Sequence, residues 1–131
     1  MPLTIVLRET PKRPIPRALF SKIKKRVLGE RYTLSAVFAN PNVMRRLNRT
    51  YRKKDSPTDV LAFPLSQSEG ELYLSRHEAS KRAPDFGMTA EKYLHYLFIH
   101  ALLHLKGHAH GRTMEKLERK FCRALGVPFP S

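Results

Sequence analysis

Cysteine, acidic residues and long apolar runs are scarce in this chain of 131 residues, and each shortage excludes a class of protein. Because Cys122 is the only cysteine, the chain can form neither an internal disulfide nor a cysteine-based zinc cluster, so any metal must be held by histidine or carboxylate. No window approaches the ~18 uninterrupted apolar residues of a membrane span, and the first residues lack the order of a secretory signal. We therefore expect a soluble, cytoplasmic protein with no membrane partner.

Positive charge is abundant where negative charge is missing. The chain has 25 Lys and Arg against 11 Asp and Glu, a formal net charge of +14. A field of this sign suits RNA, DNA or an anionic membrane surface, although a generally basic surface is the simpler interpretation. Six cations fall within ten residues that contain no acid, and we call them the basic patch: Arg45, Arg46, Arg49, Arg52, Lys53 and Lys54. Such a density predicts contacts with a phosphate backbone.

Length, periodicity and breakers predict one α+β domain over residues 1–131, with a small mixed four-stranded sheet covered by about five helices. A helix beginning at Asn40 and Pro41 should bury Val43, Met44, Leu47 and Tyr51. The helix after Thr89 is apolar almost all round, so it should be central and buried. The predicted elements are a strand Thr4–Arg8, a helix from Pro16 to Gly29, a strand Arg31–Ala39, the helix at Asn40, a strand Val60–Phe63, a turn Ser66–Gly70, a strand Glu71–Ser75, a short helix or loop at 76–88, the central helix to Leu105 and a last helix Met114–Leu125.

Four of the six histidines lie in the segment HALLHLKGHAH, residues 100–110, at the end of the central helix. His100 and His104 are four residues apart, so on a helix their rings lie on one face and can share one ion. Gly107 can end the helix and let the chain fold back, so that His110 adds a third imidazole. Three neutral imidazoles suit Zn²⁺ best, with Ni²⁺ or another divalent metal as alternatives, and they leave a fourth position open.

The simpler interpretation is that these are core histidines, each satisfied by one hydrogen bond. Three at this spacing in an apolar helix would each need a buried partner, which favours the metal site. His95 lies roughly 140° around the helix from His100, so we do not expect it to be a ligand. His108 lies in the turn and could either support a ligand histidine or be exposed, and we favour exposure. His77 has no informative context, and Cys122 should be a packing residue.

The same histidine spacing occurs in metzincin-like metalloproteases, whose HExxHxxGxxH motif has a glutamate directly after the first histidine as general base. This chain has Ala101 at that position. Without the carboxylate, the protease mechanism lacks its proton acceptor, and a protease is the less favoured alternative.

Two separated segments, NRTYRKKDSPTDVLAFP at 48–64 and HALLHLKGHAH at 100–110, together with GELYLS, resemble the YbeY family of metal-dependent endoribonucleases that act in ribosomal RNA maturation. The resemblance covers most of the chain. It implies a zinc ion on His100, His104 and His110, with Arg52 and His100 acting in catalysis and Arg52 near the phosphate. It also implies single-stranded ribosomal RNA as substrate, small-subunit 3′ end maturation and ribosome quality control as the role, and ribosomal small-subunit proteins as candidate partners.

The chain departs from the family pattern at a few positions: Ala62 replaces Ser, Glu71 replaces Asp, Ala101 replaces Gly, and His108-Ala109 stands where an aromatic residue and an acid are commoner. The missing acid at position 109 weakens the expectation of a carboxylate that orients a ligand imidazole from that turn. A non-catalytic RNA-binding factor in ribosome assembly remains the main alternative to an endoribonuclease. Whether Lys53, Lys54 and Asp59 contact substrate stays open, and Asp59 could equally cap or brace the turn before the strand. The native metal and the oligomeric state also stay open.

Overall fold

A computed structural model describes residues 3–8 and 17–130, so the predicted loop before the first helix, including Pro16, lies outside the described residues. A four-stranded sheet carries the fold, with strand order β1-β2-β4-β3. β2 pairs in parallel with both β1 and β4, whereas β3 runs antiparallel to β4 at the edge. The elements are β1 Leu3–Arg8, α1 Arg17–Leu28, β2 Thr33–Ala39, α2 Pro41–Arg52, β3 Val60–Ser66, β4 Glu69–Leu74, α3 Arg76–Arg82, a 3₁₀ turn Ala83–Phe86, α4 Ala90–Leu105 and α5 Arg112–Leu125. This confirms the predicted mixed sheet and the α+β class.

Helices cover both faces of the sheet, and α4 lies against the larger core. On one face, Leu34, Leu72 and Leu74 are fully buried beneath α1 and α4. On the other face, Met44 of α2 packs with Ala39 and Leu61 in a smaller cluster. α4 is buried around most of its circumference, as its apolar sequence predicts. No helix in the described part of the chain is long and apolar enough to cross a membrane.

The hairpin between β3 and β4 is tighter than predicted. β3 continues to Ser66 and β4 begins at Glu69, so only two residues remain in the turn that was expected over Ser66–Gly70. Ser75 was predicted to end the last strand, but its hydroxyl accepts a hydrogen bond from the Glu78 amide and caps α3. A serine at a strand end has both options, and the unpaired amides of the next helix decide between them.

Tyr51 was predicted to be buried, and the structure contradicts this: its side chain is 62% exposed. Helical spacing does place it in line with Met44 and Leu47, but burial decreases along the helix from Met44, which is fully buried, through Leu47, which is partly buried, to Tyr51. Its ring instead meets the edge strand through Phe63, at 5.1 Å between ring centroids.

The end of α4 follows the sequence prediction. α4 ends at Leu105, and Gly107 takes a φ of +104°, a left-handed conformation that glycine adopts at little cost. The His108 amide donates to the Leu103 carbonyl, which closes the turn. The chain therefore folds back over the last turn of α4, and this reversal brings residue 110 near residues 100 and 104.

Candidate metal centre

Three imidazoles meet at the end of α4. The ring centroids of His100 and His104 lie 4.7 Å apart, and His110 lies 5.3 Å from His100 and 5.0 Å from His104. Each histidine offers one ring nitrogen to a group whose members all lie within 4.8 Å of one another. The structure thus brings together the three residues that the sequence predicted as metal ligands, a set that could hold a metal ion.

The hydrogen bonds of the two helical imidazoles fit an ion. His100 Nδ1 donates to Glu118 Oε2, and His104 Nδ1 donates to the carbonyl of His108 at 3.0 Å. Since carboxylate and carbonyl oxygens only accept, each neutral ring has its proton on Nδ1 and a lone pair on Nε2. The two Nε2 atoms are 3.2 Å apart, close to the ~3.3–3.4 Å between two ligands of a tetrahedral zinc ion with bonds of about 2.0–2.1 Å.

Electrostatics favours the form of His104 that binds metal. Burial, and then the neighbouring His100 and His110, hold the pKa of His104 below its usual value, and Arg52 acts in the same direction. A lowered pKa keeps the ring neutral at pH 7, and only the neutral ring has a lone pair to donate to an ion.

Glu118 is the site residue that sequence reasoning missed. The turn after α4 lacks the acid expected at position 109, but the carboxylate that orients His100 comes from α5 instead. Glu118 is a buried acidic residue. The available signal in the sequence was its position four residues after Met114, on the apolar face of the predicted last helix, because an acid on a buried face needs a partner.

Tyr96 supports Glu118 from the preceding turn of α4. Its hydroxyl donates to Glu118 Oε1 at 3.0 Å, so both carboxylate oxygens are occupied. Burial, and then the charge of Glu118, raise the pKa of Tyr96 above its usual range, which keeps the hydroxyl a donor. Cys122 lies one turn further along α5, and burial raises the pKa of its thiol to about 12. It is a buried packing residue, as predicted.

A cavity of about 570 Å³ opens in front of the three histidines, and Arg52 and Lys54 line it together with them. Arg52 Nη2 donates to the carbonyl of Ala62 on the edge strand at 3.3 Å, which places the guanidinium beside the site. Among the described residues that line the cavity, none is a carboxylate; the others are Asn48, Val60, Leu61, Ala62, Pro64 and Ala101. The site is therefore positively charged on one side and apolar on the other.

Asn48 shapes the segment that carries these cations. It is buried, and its Nδ2 donates to the carbonyl of Ser56 at 3.0 Å while its own carbonyl accepts from the amides of Lys53 and Lys54. Lys53 takes a left-handed φ of 60° and ends α2 there. This reversal turns Lys54 back toward the cavity.

The six cations of the basic patch are exposed on α2 and directly after this helix. Asp55, which follows the patch in the chain, partly neutralises its charge. Asp55 accepts two hydrogen bonds from Arg45, at 2.8 and 3.0 Å, and lies 3.8 Å from Arg49. In the described part of the chain, the four remaining cations of the patch have no carboxylate partner; they are Arg46, Arg52, Lys53 and Lys54.

The remaining histidines lie outside the metal group. His95 is directed toward α1, 5.0 Å from the ring of Phe20, and its buried Nε2 has no hydrogen-bond partner among the described residues. His77 is exposed. His108, for which exposure was favoured, is partly buried, and its backbone carbonyl accepts the hydrogen bond from His104 Nδ1.

Asp59 braces the fold rather than lining the cavity. It is buried, and its Oδ2 accepts from Arg82 and from the Tyr93 hydroxyl, both at 3.3 Å. These contacts join the start of β3 to α3 and α4. The alternative that Asp59 braces the turn before the strand is the one that this geometry supports.

The fold and the site together define a class: α+β proteins with a histidine triad for a metal at the end of a buried helix, facing a cationic cavity. Comparison with known proteins identifies a family. The family model described as Endoribonuclease YbeY matches residues 7–126. The Endoribonuclease YbeY of Carboxydothermus hydrogenoformans is 35% identical over 76% of this chain and 76% of its own length, and that of Chlorobium phaeovibrioides is 34% identical over 95% and 93%.

A solved structure agrees with the fold. The solution structure of TM1509 from Thermotoga maritima superposes with a TM-score of 0.64 at 27% identity, covering 94% of this chain and 88% of the other. The chain belongs to the YbeY family of endoribonucleases, hydrolases that act on RNA, as the sequence resemblance implied.

Proposed function

We propose that this chain is a zinc-dependent, single-strand-preferring endoribonuclease of the cytoplasm, formed by one domain over residues 1–131, and that it matures the 3′ end of small-subunit ribosomal RNA and acts in ribosome quality control. One observation carries the proposal. The Nε2 atoms of His100 and His104 lie 3.2 Å apart, a ring nitrogen of His110 completes a group whose ligand atoms are all within 4.8 Å of one another, and Arg52 lines the same cavity. Family membership supports RNA as the substrate.

His100, His104 and His110 would hold the ion. Bound there, a zinc ion would supply Lewis-acid chemistry to the scissile phosphate. Glu118 keeps the His100 ring in one orientation and makes it a better electron donor, so His100 is the ligand most directly tuned for catalysis.

Arg52 is the second catalytic residue in this proposal. A guanidinium can form two parallel hydrogen bonds with a phosphate, which orients the group in addition to binding it. Its bond to the Ala62 carbonyl uses Nη2 and leaves other N–H groups free for the substrate. Lys54 adds a second positive charge to the same cavity. Together they hold the phosphate while negative charge grows in the transition state.

The basic patch guides the RNA backbone toward the cavity. Contacts with phosphates carry no sequence information, so the choice of cleavage position depends on other groups and on RNA structure. Proteins of the small ribosomal subunit are candidate partners at the remaining surface.

A metalloprotease is not supported. Ala101 follows the first histidine, and no described residue that lines the cavity has a carboxylate to act as the general base. A non-catalytic RNA-binding assembly factor shares the charge and the fold, so only a cleavage assay separates it from the nuclease.

The assay uses an end-labelled RNA with the 3′ region of small-subunit ribosomal RNA. Wild-type chain with zinc, the same chain with chelator, and an identically purified His104→Ala variant are compared. We expect cutting by the zinc-loaded wild type alone. Binding without cutting in zinc and in other divalent metals would contradict the nuclease and leave the assembly factor.

A further inference from the structure

Tyr51 is an aromatic residue whose side chain is largely exposed to solvent. It is one of three large apolar side chains that the described part of the chain leaves exposed, together with Leu65 and Phe86. The ring lies in the last turn of α2, directly before Arg52. Single exposed apolar residues are common on protein surfaces, so exposure alone indicates nothing.

The ring is held in place although it is exposed. It meets Phe63 at 5.1 Å with an interplanar angle of 63°, and Phe63 in turn meets Tyr73 at 5.9 Å and 77°. Edge-to-face contacts of this kind stabilise aromatic pairs beyond the area that they bury. A ring that is already fixed loses little conformational entropy when a flat ligand covers it.

The surroundings of the ring are cationic, and the cavity lies past the edge strand that supports the ring. Ala62 and Pro64 line the cavity, whereas the side chain of Phe63 between them packs on the α2 side of that strand, where it meets the ring. Arg52 and Lys54 line the same cavity. An apolar ring beside unpaired cations suits a ligand that is flat and aromatic on one part and anionic on another, which describes a nucleotide of single-stranded RNA.

We propose that Tyr51, supported by Phe63, is a stacking site for one unpaired base of the RNA, next to the phosphate that Arg52 binds. The inference rests on the proposed function and deepens it, because it gives a structural reason for the preference for single-stranded RNA. A base inside a duplex has both faces covered by its neighbours, whereas an unpaired base can leave its stack for the ring.

The chain has no tryptophan, so a tryptophan placed at position 51 reports on that ring alone. In Tyr51→Trp, mixing the zinc-loaded full chain with a single-stranded RNA of about 12 nucleotides, a length within the usual range of single-strand sites, should quench the emission within the mixing time, before cleavage. The matched control is Phe86→Trp, a ring that is 41% exposed and stacked on Tyr93 away from the cavity. We expect no quenching there.

Affinity gives the second measurement, made by anisotropy with chelator so that the RNA stays whole. Tyr51→Ala should bind the single strand roughly 5- to 100-fold more weakly, the range for one stacked base, while Tyr51→Phe should bind like wild type. An RNA with one abasic nucleotide, moved along the strand, should reveal one position whose base matters to wild type and no longer matters to Tyr51→Ala. Phe86→Ala should be unchanged.

Two results would overturn the proposal, and only one of them would also contradict the proposed nuclease function. If wild type binds and cuts RNA but Tyr51→Ala has the same affinity and abasic profile, the stacking site is wrong and the nuclease stands; the ring would then suit a protein partner. If wild type binds no RNA at all, the proposed function fails and the stacking site with it.

Discussion

At the scale of single residues, the two helical imidazoles of the metal centre have partners of different kinds. His104 Nδ1 donates to a backbone carbonyl, which no substitution removes, whereas His100 Nδ1 donates to the side chain of Glu118. A carboxylate partner fixes the tautomer and raises the electron density on the opposite nitrogen. The affinity for metal should therefore depend on a residue of α5 that is not itself a ligand.

Replacement of Glu118 by Gln or Ala should weaken zinc binding by about 10- to 100-fold, the usual cost of losing such a partner. Competition against a chromophoric chelator measures this without any RNA. Glu115→Gln, on the same helix and exposed, is the control and should leave the affinity unchanged. Tyr96→Phe should have a smaller effect, because it removes only the bond to the far carboxylate oxygen. Equal zinc affinity in Glu118→Gln and wild type would contradict this role.

Replacement of Arg52 by Ala should lower the single-turnover cleavage rate by about 10²- to 10³-fold, as loss of one transition-state donor typically does, with zinc content unchanged. Arg52→Lys should recover part of the rate at best, since an ammonium cannot form the paired bonds. Arg46→Ala removes an exposed cation of the same helix and serves as the control. A similar loss of rate in both Ala variants would mean that Arg52 contributes only general charge.

Much of the site follows from local spacing, and the rest does not. His100 and His104 are positioned by helical geometry and His110 by the turn at Gly107, so the sequence alone predicts the triad. Glu118 and Asp55 could not be assigned this way, because their partners come from tertiary packing or a chain reversal. Tyr51 was misassigned because helix periodicity gives a direction but not the extent of the surface beneath it.

At the scale of elements, α4 positions the site and also carries a buried histidine on its other side. His95 faces Phe20 of α1, and burial lowers its pKa below the usual value, opposed by the charge of Glu91. The unfolded chain takes up a proton at about pH 6.5, while the folded chain stays neutral further down. The stability that the neutral ring allows is therefore fully present above about pH 6.5 and is lost as the pH falls through the folded pKa.

We expect the free energy of unfolding to decrease between pH 7.5 and 5.5, and to decrease less in His95→Leu. Urea titrations at several pH values, with chelator present in every sample, measure the slope. The pKa of His104 is lowered as well, but His104 is present in both proteins. The difference between the two slopes therefore reports on His95. His77→Leu is the matched control, because it replaces a histidine at an exposed position. An identical slope in His95→Leu and wild type would sink the assignment.

The helices could be predicted from the sequence where a strong hydrophobic periodicity follows an N-cap residue, as for α2 after Asn40 and α4 after Thr89. The order of the strands in the sheet could not be predicted in this way. The placement of β4 between β2 and β3 depends on which apolar faces meet, and that is a property of the whole core rather than of any segment. The ends of β3 and β4 differ from the prediction for a more local reason, because pairing in the hairpin extends both strands into residues with weak strand preference.

At the scale of the whole molecule, the net charge of +14 should make RNA binding strongly dependent on salt. The cations are not equivalent, however. Arg45 is already paired with Asp55, whereas Arg46 has no carboxylate partner among the described residues. An arginine that stays paired with a carboxylate neutralises a phosphate less completely, so fewer of the counterions condensed on the RNA are released.

Arg46→Gln should reduce the slope of log K against log salt by about 0.7, the value for one phosphate contact with a single strand, while Arg45→Gln should reduce it less. Anisotropy titrations of one single-stranded RNA at several salt concentrations, with chelator, provide the slopes. Equal reductions in the two variants would show that the Asp55 pair does not persist when RNA binds.

One ion on His100, His104 and His110 should make this chain a nuclease. A stepwise zinc titration of metal-free protein, with the initial rate of RNA cleavage measured at each step, tests this. We expect no cleavage without metal, a rate that rises to a plateau at one zinc per chain, and no response in His110→Ala. Cleavage by the chelated protein at the same rate, or a response that survives His110→Ala unchanged, would contradict it.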